Sequence, residues 1–426
     1  MGELPATRSQ KQDVRRMRRL VVSKSSLYIW LTAVLFLSAH GGLYRFGAAT
    51  GIVWTLATAI SAAWFLRSPR SMSQLLARHW AILLLPCFAI LSTLWSGSRT
   101  VTLIDSVQML ITVIISLKIV TVLDTRQILV ALAIGMGGAT AFSVLNLATG
   151  FLPPVYEMNG AFLGIFTQKN NLAKAVFWGA FAISALSLIY GRPFIGVIVA
   201  AISFPLTLIA LSKTGQIGYG FIVLLYALAL IRHLPGTARI VLPLFFGLSL
   251  LAMSLTYVLT GGALIEDTLA LMGKSPTLTG RTVIWGLGLD VWRSNFMVGI
   301  GLSTFWSSPT FADQVNFIAA NVDDGLHGFH NVYIEYLVAL GLIGGAYLAG
   351  LMGLSWIRLF RGFLKTRSID MVIWLAILTT LIVFGGFEDS FSKPRSGHLM
   401  LAIMAFSFAQ HGLIISGRDL GRGAFP

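Results

Sequence analysis

The chain is 426 residues long, 56% hydrophobic and only 11% charged, with a mean hydropathy of +0.80. Soluble domains carry about 25% charged residues, so a soluble enzyme or binding module is excluded and an integral membrane protein is indicated. The formal charge of +15 does not point to nucleic acid, because membrane proteins concentrate Lys and Arg in their cytoplasmic loops.

Apolar runs near 20 residues, without the alternation of lipid-facing strands, favour a helical bundle over a barrel. Cys87, the single cysteine, sits inside such a run, so neither an intrachain disulfide nor a thiolate metal site is available. Residues 1–26 are polar and basic, with Arg8, Lys11, Arg15, Arg16, Arg18, Arg19 and Lys24 ahead of an apolar run from Leu27 to Ala39. That resembles the charged start of a signal peptide, but no small-residue cleavage site follows and further spans do. The segment therefore reads as a cytoplasmic lead into a retained first helix.

In chain order the apolar segments predict spans at about 27–43, 46–66, 80–96, 101–123, 127–149, 172–190, 193–211, 216–231, 239–259, 330–353, 371–387 and 397–416. The expected fold is an all-α integral membrane protein, a bundle of about 12 transmembrane helices. Lys and Arg favour the side that holds residues 1–26 by roughly two to one, which places both termini, including the tail at 417–426, in the cytoplasm. Residues 27–416 read as one polytopic domain, with no internal repeat or low-complexity linker. This topology puts segments 150–171, 212–215, 260–329 and 388–396 on the outer face. The long loop at 260–329 is expected to carry short helices, since long ordered loops are more often functional than connecting. Val283, Ile284, Leu287 and Val291 have helical spacing between Arg281 and Arg293 and suggest a helix at the interface.

His330 and Asn331 begin the tenth span, where unpaired backbone N–H groups and the helix dipole favour a nearby anion. An imidazole facing outward there can accept a proton, making His330 a candidate general base. The plainer alternative is an interfacial histidine with Asn331 as helix cap. Gly341, Gly344 and Gly345 read as small residues that let a neighbouring helix pack closely. Arg281 carries a planar fork of donors suited to phosphate oxygens, or else snorkels to lipid headgroups. Lys213 and Lys169 add cations to short outer segments, and several such charges on one face attract an anionic substrate.

The acidic residues and two histidines need a separate reading. Asp323, Asp324, His327 and His330 match no dependable metal signature, so no metal is expected. Glu335 and the Glu388–Asp389 pair lie near the outer ends of spans, where ionisable groups are functional suspects; pairing with Arg281, Lys213 or Lys393 is their plainer role. No Walker A loop or Rossmann fingerprint is present. Activation must therefore arrive with the substrate or from a gradient, and no cofactor is expected.

His330-Asn331, then Gly341 and Gly344, with Gly280-Arg281 and Trp285 and the Phe296–Phe305 stretch ahead of them, resemble the signature of the bacterial O-antigen ligase and polymerase superfamily. Lys213 stands in Ser212-Lys213-Thr214-Gly215 where that family tends to have arginine, which keeps a cation but loses the bidentate fork. Leu94-Trp95-Ser96 and Gln168-Lys169-Asn170 further resemble the exopolysaccharide-production branch.

The resemblance implies a metal-independent glycosyltransferase of the bacterial inner membrane, acting at the periplasmic face on an undecaprenyl-diphosphate-linked glycan. Its other partners would be a glycan or lipid acceptor, membrane lipids, and a flippase and chain-length regulator. Arg281, with Lys213 and Lys169, would hold the diphosphate. His330 would deprotonate the acceptor in a single inverting displacement, and Asn331 and Glu388 would complete the substrate contacts. A repeat-unit polymerase is preferred to a ligase acting on lipid A core. A transporter fits less well, because there are no repeated halves with matching broken spans.

Overall fold

A computed structural model describes residues 25–158, 160–237, 240–241, 279–321, 328–388 and 391–411. The span expected at 239–259 lies outside these residues but for its first few positions, as do residues 1–24, the tail at 417–426, Asp323, Asp324, His327 and Asp389. In chain order the helices are α1 (Ser25–Ala39), α2 (Ala49–Arg67), α3 (Pro69–Arg78), α4 (Trp80–Leu91), α5 (Arg99–Val122), α6 (Thr125–Thr149) and α7 (Lys169–Ile189). They continue with α8 (Pro193–Ile209), α9 (Lys213–Ile231), α10 (Thr279–Ser294), α11 (Ala312–Asn321), α12 (Val332–Thr366), α13 (Ile369–Gly385) and α14 (Gly397–His411). Among the described residues there is no strand, only one isolated bridge between Tyr156 and Phe162.

The protein is an all-helical, multi-pass membrane protein. Among the described residues six helices, α2, α5, α6, α7, α9 and α12, are long and apolar enough to cross a bilayer. A bent pair, α3 with α4, makes a seventh candidate, turned by 91° at its break. Helices α1, α8, α13 and α14 are shorter apolar helices that coincide with the remaining expected spans in the described residues.

The chain divides into two compact units, one of residues 1–63, 117–222 and 413–426, the other of 64–116 and 223–412. The first is built around α7, whose Phe177, Trp178 and Phe181 are fully buried. Small residues let its neighbours close in: a Cβ at Gly179 would stand 3.0 Å from the Gly137 nitrogen, where α6 widens into a π turn at Ala133–Gly137. The segment between α6 and α7 is tied down by its own polar groups. Buried Asn146 donates to the carbonyls of Leu152 (3.1 Å) and Gly164 (2.7 Å) and accepts from the Leu152 N–H at 2.8 Å. Arg45 donates to the carbonyls of Leu152 and Pro154 at 3.1 and 2.8 Å. Burial lowers the Arg45 pKa from its ordinary value, although a guanidinium stays charged in any physiological medium.

The second unit centres on α12, α13 and α14. Nearly every position of α13 from Met371 to Leu381 is buried, which explains why its sequence shows no polar face. His79, at the α3–α4 bend, is buried and hydrogen bonds through Nε2 to Ser407 Oγ at 2.8 Å, so a side chain of α14 satisfies a polar group that lipid could not. A small apolar core joins α10, α11 and the start of α12 through Ile284, Ile300, Phe305, Ile318, Phe329, Ile334 and Val338.

Candidate active site

The site in the second unit is assembled from the first turns of α10 and α12 and the end of α13. Arg281 lies in the first turn of α10 and donates through one terminal nitrogen to the Phe387 carbonyl at 3.1 Å. One turn on, Trp285 donates its indole N–H to the Phe329 carbonyl at 2.8 Å, pinning α10 to the segment that leads into α12. The helical spacing read from Val283 to Val291 is thus a real helix, Thr279–Ser294.

Asn331 is the N-cap of α12. Its Oδ1 accepts from the N–H groups of Tyr333 (3.0 Å) and Ile334 (3.1 Å), two of the donors that a helix start leaves unpaired. Its Nδ2 donates to the Gly386 carbonyl at 3.1 Å. Both ends of the amide are therefore engaged in fixing where α12 begins.

His330, the residue before the cap, has φ +49°, in the left-handed region that few non-glycine residues adopt and that Asn, Asp and His adopt most readily among them. Its Nδ1 is buried and has no hydrogen-bond partner among the described residues. Glu335, 9% exposed, accepts from the Phe329 N–H at 3.0 Å and the Trp306 indole at 3.2 Å, holding the other side of the Phe329–His330 corner. Glu388, 3% exposed, follows the carbonyl that receives Arg281. Among the described residues no three His, Cys, Asp or Glu side chains gather as a metal site.

Helix α12 is broken at Gly341, where φ is +65° and ψ −166°. Gly341 does admit a close neighbour, as read from sequence, but that neighbour is the 296–301 backbone and not a helix, and the Gly341 backbone itself leaves the helix. The break strands carbonyls before it and N–H groups after it, and the segment 296–301 supplies both. Ile300 and Gly301 donate to the carbonyls of Val338 (3.0 Å) and Ala339 (2.9 Å), while Leu342 and Ile343 donate to those of Phe296 (2.8 Å) and Met297 (3.1 Å). A Cβ on Gly341 would lie 2.3 Å from the Met297 carbonyl, so only glycine admits this approach.

In the first unit, Lys213 is exposed at the first position of α9 and Lys169 at the first of α7 is half-buried. Ser212 Oγ donates to Asn170 Oδ1 at 2.9 Å, which ties the start of one helix to that of the other and brings the two lysine-bearing ends together. Lys169 is itself paired with Glu157, at 3.3 Å to Oε2. Sequence reading missed this partner, and it missed the grip of Glu335 on Trp306 and Phe329. The only signals were Glu157's place in the same outer segment and the four-residue step from Asn331 to Glu335 on one helix face.

With this geometry in hand, residues 195–349 match the family model described as O-Antigen ligase. That match takes in Lys213, Arg281, His330, Asn331 and the break at Gly341.

The chain is also 25% identical over 270 residues to the Exopolysaccharide production protein ExoQ of Rhizobium meliloti (strain 1021). The alignment covers 60% of this chain and spans 60% of that protein's length. Both matches agree with the resemblance to the O-antigen ligase and polymerase superfamily.

Proposed function

We propose that this protein is an inner-membrane glycosyltransferase that takes an undecaprenyl-diphosphate-linked oligosaccharide at the periplasmic face and extends an exopolysaccharide with it. The reading includes the twelve-span topology with cytoplasmic termini and places the 260–329 segment outside. The observation that carries it is the pair of anchors at the end of α13: Arg281 on the Phe387 carbonyl and Asn331 on the Gly386 carbonyl. They hold a guanidinium and the corner bearing His330 to neighbouring points of one backbone.

A fork with one donor on Phe387 has four more for phosphate oxygens. In this role Arg281 binds the donor's diphosphate and stabilises the charge that gathers on it as the glycosyl bond breaks. His330, whose buried Nδ1 meets no hydrogen-bond partner among the described residues, is assigned as the general base. It takes the proton of the acceptor hydroxyl as that oxygen attacks the anomeric carbon, and a single displacement inverts the centre. Glu388 is assigned to the glycan. Lys213 and Lys169 are assigned the attraction of an anionic donor. Because the donor brings its own leaving group, the scheme needs neither a nucleotide site nor a metal, and a flippase and chain-length regulator are its natural partners.

Purified protein incubated with labelled lipid-linked repeat units should build a ladder of products, and Arg281→Ala or His330→Ala protein should build none. A ladder of wild-type yield from both variants rejects these roles. A second reading, ligation of the glycan to lipid A core, is favoured by the O-Antigen ligase match over residues 195–349. Transfer only to lipid A core, with no ladder, would replace the first reading by the second.

A further inference from the structure

Three buried hydroxyls lie at some distance along the chain from the residues discussed so far, and they close into one chain of hydrogen bonds. Thr102 Oγ1 donates to the Leu302 carbonyl at 2.7 Å, so its proton is committed there. It must then accept from Ser96 Oγ, 2.7 Å away. Ser96, having given its proton, accepts in turn from Thr304 Oγ1 at 2.8 Å. Each hydroxyl has one proton to give, so the direction Thr304 to Ser96 to Thr102 to Leu302 follows. Ser96, Thr102 and Thr304 are 5%, 0% and 1% exposed, and a hydrogen bond broken at that depth leaves a polar atom without water to replace it.

The chain grips one particular segment. Leu302 is held a second time, by its N–H to Ser92 Oγ at 3.3 Å, and Ser303 donates to Asp105 at 2.6 Å. Gly301, at φ +102°, comes so near that a Cβ would stand 2.7 Å from the Ser96 Cβ. Residues 301–304 are thereby fixed to the 92–105 stretch. Immediately before them, residues 296–301 fill the break in α12 with four backbone hydrogen bonds. Discontinuous membrane helices often leave such stranded groups to a ligand; here the polypeptide occupies them, and the direction of the half-helix before Gly341 depends on that insert staying in place. That half-helix starts at Asn331, next to His330.

We propose that the Ser96–Thr102–Thr304 hydroxyl chain is a positioning device for His330, acting through the 296–304 insert at the Gly341 break. The residues do not touch the reacting groups. Their part in catalysis rests on the glycan-transfer reading above, whereas the clamp itself does not. Ser96 thus acquires a physical task, docking the insert.

The test uses the full chain in nanodiscs and two variants at one atom: Thr102→Val, isosteric without the hydroxyl, and Thr102→Ser, which keeps it. Hydrogen exchange is followed on peptides covering 296–304 and 338–345, with α7 as internal control, and turnover and KM are measured with labelled lipid-linked repeat units. In the Val protein the amides of Ile300, Gly301, Leu342 and Ile343 should exchange at least about tenfold faster while α7 is unchanged. Its kcat should fall at least about tenfold with KM within about threefold of wild type. The Ser protein should match wild type in both. Unchanged exchange in the Val protein overturns the clamp, and loosened exchange with full turnover overturns its link to His330. Wild-type protein that transfers nothing overturns the functional reading and with it the positioning role, while exchange still decides the clamp. If Thr102→Val does not accumulate in membranes, Thr304→Val cuts the chain at its first donor and carries the same readouts.

Discussion

Arg281 and Asn331 are held by adjacent backbone carbonyls, those of Phe387 and Gly386, each at 3.1 Å. Fifty residues of sequence separate the two side chains, yet the end of α13 sets them in register. The arginine is fixed at one donor only, and the asparagine is engaged at both ends of its amide.

Arg281→Lys keeps the charge but loses the planar fork that holds the Phe387 carbonyl while presenting paired donors to phosphate oxygens. Transfer from lipid-linked donor should fall by about 10²-fold or more, the usual cost of losing a placed donor to a developing anion. Membrane assays normalised to protein level check this, and a lysine variant at wild-type rate would remove Arg281 from the chemistry.

His330 combines a positive φ with a buried ring nitrogen that has no hydrogen-bond partner among the described residues, and substitutions can separate the two. Asparagine tolerates the left-handed region, so His330→Asn should fold and melt near wild type while losing roughly 10²- to 10⁴-fold in transfer, the span of general-base effects. A β-branched residue, His330→Val, should also lower the melting temperature. Equal activity in the Asn variant would show that the imidazole is dispensable.

Much of this arrangement was legible in the sequence, for identifiable reasons. The start of α12 at Asn331 and the helix over Arg281–Arg293 follow from capping chemistry and apolar spacing, which are local. The break at Gly341 was not legible, because a glycine inside an apolar run looks the same whether it admits a neighbouring helix or departs from helical geometry. The distinction lies in residues 296–301, some 40 positions earlier, whose backbone carries no sequence mark of the bonds it makes. Helix α3 is not legible because its buried side chains, Met72 and Leu75, are too few to make an apolar stripe beside Arg70 and Arg78. Glu157 was not matched to Lys169 since an ion pair across twelve residues of irregular chain has no periodic signature.

Asn331 allows the cap and the anchor to be weighed against each other. Asn331→Ala loses the acceptor for Tyr333 and Ile334 and the donor to Gly386, and should cost about 1–2 kcal/mol of stability. Asn331→Ser restores a capping oxygen without reaching the Gly386 carbonyl. It should recover most of the melting temperature and little of the transfer rate, if the anchor is what orients His330. Full recovery of both by serine would leave the Gly386 bond without consequence.

Gly341 and Gly350 lie on the same helix and make a matched pair for the break itself. Alanine at 341 would carry a side chain at φ +65° with its Cβ 2.3 Å from the Met297 carbonyl, so backbone must move on one side or the other. Strain and overpacking together should cost at least about 2 kcal/mol. Alanine at 350 meets nothing within 4 Å and replaces a poor helix former with a good one, which should leave the melting temperature equal or raised. If the insert supports the half-helix before Gly341, only the 341 variant should quicken amide exchange at Ile300 and Gly301. Equal melting of the two alanine proteins would mean that α12 can run unbroken through Gly341, and that the insert does not hold it open.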